Sequence, residues 1–140
     1  MKFYLFITAC LAAASITACN NAGDEKQQEK QQQDSILKMH DAMMDKDELV
    51  ITNKTKLDTL LKKYPTDTAK TREISVLTKQ ADQADDAMQK WMHQFNPDYT
   101  GKSHTQVMEY LKNQQQQILS VDSLLNAAAD ASTKYLSTVK

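Results

Sequence analysis

Hydrophobic positions recur at helical intervals along most of this chain. The first stripe is Ile36, Met43, Val50, Leu57 and Tyr64, a strict seven-residue spacing flanked by Met39, His40, Leu60 and Leu61. The second is Ile74, Leu77, Ala81, Ala84, Met88, Trp91 and Phe95, with steps of three and four. The third is Val107, Leu111, Gln114, Ile118, Val121, Leu125, Ala128, Ser132, Tyr135 and Val139. Residues three and four apart share one face of an α-helix, so the pattern predicts amphipathic helices over about 35–64, 67–95 and 103–138. Pro65 pushes Tyr64 out of the helical region, and Asn96-Pro97 through Gly101-Lys102 makes the second break. Asp34 or Ser35 can cap the first helix and Thr66 or Asp67 the second. Ser103-His104-Thr105-Gln106 has the Ser-x-x-Gln form of a capping box for the third. Short connections make neighbouring helices antiparallel, and seven-residue spacing favours coiled-coil-like packing. The expected fold is all-α, an antiparallel up-down-up three-helix bundle over residues 34–140.

The stripes are uneven in the middle. Asp47 and Lys54 stand beside the first stripe, and the second offers only Ala81 and Ala84 at that level. A thin, rather polar middle is expected, or else the first helix completes its core against a second copy. Residues 19–33, mostly NNAGDEKQQEKQQQ, hold no apolar side chain larger than alanine after Cys19. Without a face to bury they read as a flexible polar tether, frayed into helix only at its C-terminal part.

Composition sharpens this picture. The chain has 2 Gly and 2 Pro in 140 residues, where average usage would give roughly 10 and 7. Sandwiches, barrels and doubly wound sheets need more turn residues than that. The formal net charge of -1 lacks the basic excess of a general nucleic-acid binder.

The N-terminus carries an address. Lys2 precedes an apolar run from Phe3 to Ala14, interrupted only by Thr8. That run suits a signal peptide and is too short to span a bilayer. Ser15-Ile16-Thr17-Ala18-Cys19 then supplies a lipobox, and residues 1–18 are expected to be removed as a lipoprotein signal peptide. Ile7-Thr8-Ala9-Cys10 repeats the tetrapeptide, but the apolar lead before it is too short. Cys19 is therefore the expected site of covalent lipid, a stable anchor with several acyl chains. Cys10 would leave with the signal, so no free thiol would remain. Asn20, rather than Asp, after the cysteine favours the outer membrane.

Candidate chemistry gathers at one end of the expected bundle. Folded up-down-up, the chain brings together residues 36–44, 88–95 and 103–111. Those stretches hold all three His (His40, His93, His104), the only Trp (Trp91) and every Met beyond Met1. Thioether and imidazole ligands suit Cu(I) or Ag(I), so His40, Met43, Met88, Met92, His93 and Met108 form a candidate soft-metal set. Core packing of methionine against Trp91 and Phe95 explains the same stripe more simply, with His93 and His104 then solvated. A Met-rich groove for a partner helix is a third reading. Asp41, Asp45 and Asp47 read as a solvated face. Asp85 and Asp86 are adjacent and cannot share one face as an acid–base pair. No HExxH, GxSxG or Gly-rich phosphate loop is present, and no catalytic activity is expected. Asp34-Ser35-Ile36, Asp58-Thr59-Leu60, Asp67-Thr68-Ala69 and Asp122-Ser123-Leu124 resemble bacterial O-glycosylation sites, although capping or ordinary helix surface explains each.

Met39-His40-Asp41 with Met43 and Met44, Ala84-Asp85-Asp86-Ala87-Met88 leading to Trp91-Met92 and Phe95, and Tyr110-Leu111 with Ile118 and Val121 together resemble a family of small helical lipoproteins in Bacteroidota. Some members carry the label viral A-type inclusion protein. The similarity spans about Ile36 to Leu136. It implies a Gram-negative cell envelope and makes the Met–His–Trp end a family trait, but it brings no activity and no functional residue. The resulting expectation is a lipid-anchored envelope protein with a periplasmic helical bundle. Its role would be structural or protein-binding, with self-association possible, no nucleic acid, and no cofactor beyond the lipid on Cys19. Soft-metal binding is the alternative.

Overall fold

Two breaks divide the chain into three helices. A computed structural model describes residues 21–139: α1 spans Asn21–Lys63, α2 Thr68–Gln94 and α3 His104–Thr138. Residues 1–20, including the expected signal and Cys19, lie outside the described residues. Each helix packs against both others, and no strand occurs among the described residues. No helix among them is long and apolar enough to cross a membrane.

The breaks have local causes. The chain turns at Tyr64–Asp67, where Asp67 caps α2 by accepting from the backbone N–H of Lys70. Tyr64 settles under the Lys70 ammonium, 4.5 Å from the ring centre. At the second break, Asp98 accepts from the backbone and hydroxyl of Thr100 at 3.0 and 2.7 Å. These bonds hold its carboxyl below the usual range. Gly101 sits at φ +78, a left-handed conformation that costs other residues about 1–2 kcal/mol. An added Cβ there would meet nothing within 4 Å. Gly101→Ala should therefore lower stability by about 1 kcal/mol through backbone conformation alone, measurable by urea unfolding. Ser103 and Gln106 form the full capping box.

The stripes become the core. Ile36, Met43, Val50 and Leu57 of α1 are buried, with Ile74, Ala81, Ala84, Met88 and Trp91 of α2. From α3 come Val107, Leu111, Ile118, Val121, Leu125, Ala128 and Ala129. Tyr64, Leu77, Phe95, Tyr135 and Val139, at the ends of the stripes or beside them, are half-buried. The middle is polar as well as thin. Asn53, 3% exposed, donates to Ser132 and Thr133 hydroxyls at 3.0 and 2.9 Å. Lys46 donates to Asp122 at 2.7 Å.

Two sequence expectations need correction. Residues 21–33 are not a flexible tether, because α1 runs through them without a break. Consequently neither Asp34 nor Ser35 is an N-cap. Gln, Glu and Lys are good helix formers, and Lys30 pairs with Asp34 one turn on at 2.7 Å. Tertiary contacts fasten the extension to α3: Gln32 donates to Gln115 at 3.0 Å, and Glu29 meets His104. At 43 residues, α1 is about 65 Å long.

Candidate functional site

The Met–His–Trp end is built around an aromatic run. Trp91, 4% exposed, stacks on His40 with ring centres 5.6 Å apart and on Phe95 at 5.2 Å. Phe95 leads to Tyr110 at 6.4 Å, and Tyr110 to Tyr99 at 5.9 Å. The run thus joins all three helices and the second connection. Tyr110 locks it by accepting from the backbone N–H of Asn96 at 2.8 Å. Lys102 lies over the Tyr110 ring at 5.3 Å. Burial pushes the Tyr99 hydroxyl above its ordinary pKa, with Tyr110 and Glu29 adding to the effect.

The candidate ligands divide by position. Met43 and Met88 are buried core side chains, and Met39, Met92 and Met108 are half-buried against the same core. They line a packed interior, as methionine commonly does beside aromatic rings. His40 joins them through its stack on Trp91. Its Nδ1 lies 3.1 Å from Asp41, while its Nε2 is buried with no protein partner. His93 is exposed on α2 and does not join this packing. His104 departs from the expected solvated state: its Nδ1 lies 2.9 Å from Glu29 Oε1, and both side chains are at least three-quarters covered.

Several buried polar atoms find no partner. Along the aromatic run these are His40 Nε2, Trp91 Nε1 and Tyr99 OH, with Gln114 Oε1 one helical turn beyond Tyr110. A buried polar atom left unpaired costs about 1–3 kcal/mol. Among the described residues, no group of three or more His, Cys, Asp or Glu could hold a metal ion.

The sequence underrated one residue. Asp47 is 3% exposed, with Oδ1 buried and unpartnered, so it does not belong to a solvated face. Burial raises its carboxyl pKa, and the Asp85 carboxylate raises it further. The signal was its phase: position 47 is four residues after Met43 and three before Val50, the spacing that fills a second seam row.

The Asp-Ser/Thr motifs serve the helices. Asp67 is a cap, and the Thr59 and Ser123 hydroxyls donate to backbone carbonyls four residues earlier. Comparison with known proteins finds no matching family model, no matching curated protein and no matching solved structure.

Proposed function

We propose that this is a cell-envelope lipoprotein, anchored through lipid on Cys19 to the outer membrane and presenting its helical bundle to the periplasm in a structural or protein-binding role. The observation that carries the reading is the Phe3–Ala14 apolar run followed by Ser15-Ile16-Thr17-Ala18-Cys19. The likeness of the Met–His–Trp end to Bacteroidota lipoproteins supports the same compartment. A binding role draws support from large apolar side chains that the fold leaves uncovered, among them Leu37, Met44, Leu49, Ile51, Val76, Leu119 and Leu124. The reading includes an antiparallel up-down-up order. His40 pairs with Trp91 and Lys54 with Asp82, so α1 numbers rise as α2 numbers fall. Lys46 pairs with Asp122 and Asn53 with Ser132, so α1 and α3 numbers rise together.

Expression of the full chain in a Gram-negative host with a labelled fatty acid tests the anchor. Label should enter the protein in the envelope fraction and be lost in Cys19→Ser, with Cys10→Ser unaffected. Label persisting in Cys19→Ser would overturn the reading.

A second reading, soft-metal binding, is favoured by one observation: the unpartnered Nε2 of His40 beside a Met-rich core. In this reading His40, Met43 and Met88 would hold Cu(I) or Ag(I), with Met92 and Met108 nearby. Titration with Ag(I) should quench Trp91 fluorescence at a one-to-one ratio, and Met88→Leu should abolish the effect. No response at that ratio would exclude it.

A further inference from the structure

One face of α1 is apolar without being part of the core. Leu37, Met44 and Ile51 repeat at seven-residue spacing, one position after the buried stripe, and are 37%, 39% and 44% exposed. They therefore form a second stripe along the same helix, turned about 100° from the first. Scattered exposed apolar residues are ordinary, but a row at constant helical phase is what a partner helix reads.

The charge around this stripe is mostly negative. Asp41, Asp45 and Glu48 are exposed on α1 beside it, and α2 adds Asp82, which meets Lys54, and Asp85, close enough to act on Asp47. Lys38, next to Leu37, is an exposed cation on the same helix, while Lys46 and Lys54 are engaged. Lys46 turns to Asp122 of α3 at 2.7 Å, and Lys54 lies 3.3 Å from both Asp58 and Asp82. Met44, Asp45, Asp47, Glu48, Ile51 and Thr52 line a recess of about 420 Å³. Asp47 contributes an almost completely buried carboxylate oxygen that nothing in the fold satisfies.

A second copy of the chain fits this face poorly, since pairing α1 with α1 would set the same carboxylates against one another. From the apolar stripe, its acidic borders and the unsatisfied Asp47 oxygen together, we infer that this face docks a cationic amphipathic helix of another protein. The partner's apolar side chains lie on Leu37, Met44 and Ile51, and a lysine or arginine supplies the hydrogen bond that Asp47 lacks. The inference rests on the protein-binding reading and names its surface and the chemistry of its partner.

The probe is a fluorescent synthetic helix of about 18 residues, about 27 Å long, with leucine on one face and lysine on the other. It is titrated by anisotropy against the full chain in non-ionic detergent, with a Leu/Glu helix and a lysine-only peptide as controls. The Leu/Lys helix should bind saturably and weaken as salt rises, and neither control should bind comparably. Met44→Ser with Ile51→Ser should weaken it about tenfold, as should Asp47→Asn. Circular dichroism on each variant checks that the fold is kept. Equal binding of either control, or affinity unchanged in both variants, would overturn the inference. So would a dimer, seen by sedimentation, that Met44→Ser with Ile51→Ser dissolves, because the face would then belong to a second copy. The broader protein-binding reading is judged separately. It stands if the immobilised full chain enriches an envelope protein regardless of these substitutions, and it falls if none is enriched.

Discussion

Trp91→Ala should lower the stability of this protein by about 3–5 kcal/mol, the range for removing a large buried aromatic side chain. Trp91 is 4% exposed in the core and is the middle ring of the stack from His40 to Phe95. Its removal leaves a cavity at the meeting of α1 and α2 and unseats the Phe95–Tyr110 contact that closes the second connection. The melting temperature should fall by about 10 °C or more. The transition must be followed by far-UV circular dichroism, because Trp91 is the only tryptophan. Met44→Ala is the matched control: Met44 is 39% exposed, and its loss should change stability by no more than about 0.5 kcal/mol. A Trp91→Ala cost near that of the control would mean that the aromatic run adds little to holding this end together.

Trp91 also shows which parts of the molecule were legible in the chain. Steps of three and four from Ile74 to Phe95 place it on the buried face of α2 before any coordinate is known, because helical phase alone decides that face. The same holds for Gln114, a polar residue on the third stripe that is only 5% exposed. The breaks were legible because Pro65 and Pro97 restrict the backbone locally and Gly101 permits a left-handed turn. The N-terminal part of α1 was not. Its stability comes from helix propensity and from polar contacts such as Glu29 with His104, between residues far apart in sequence that leave no apolar signature. For the same reason His104 could not be paired in advance: its partner lay in a segment without a burial signal. In the candidate site, phase put Met43 and Met88 on the buried stripes and His93 off them. It could not give distances or show that His40 Nε2 lacks a partner.

Asp47 is where burial and charge conflict most, and its removal should stabilise the fold. Asp47→Asn is expected to raise stability at pH 7, on the order of 1 kcal/mol, because it removes the buried charge and its repulsion from Asp85 while keeping the side chain's shape. The pH dependence follows from the direction of its shift. Burial first, and Asp85 second, hold the folded-state pKa above its ordinary 3.8. The unfolded chain thus ionises Asp47 more readily, so the group opposes folding above the folded pKa. Its penalty fades as pH falls through that value and is gone below about 3.8. The other nearby charges cannot remove it, since Lys46 is held by Asp122 and Lys54 by Asp58 and Asp82. Urea unfolding of both proteins from pH 7 to pH 3.5 should show the variant's advantage shrinking to nothing. A constant advantage would mean that lost ionisation is not the cause. The same substitution is expected to weaken the Leu/Lys helix about tenfold. Both results together would show a carboxylate that costs the free protein stability and gains its missing partner only in a complex.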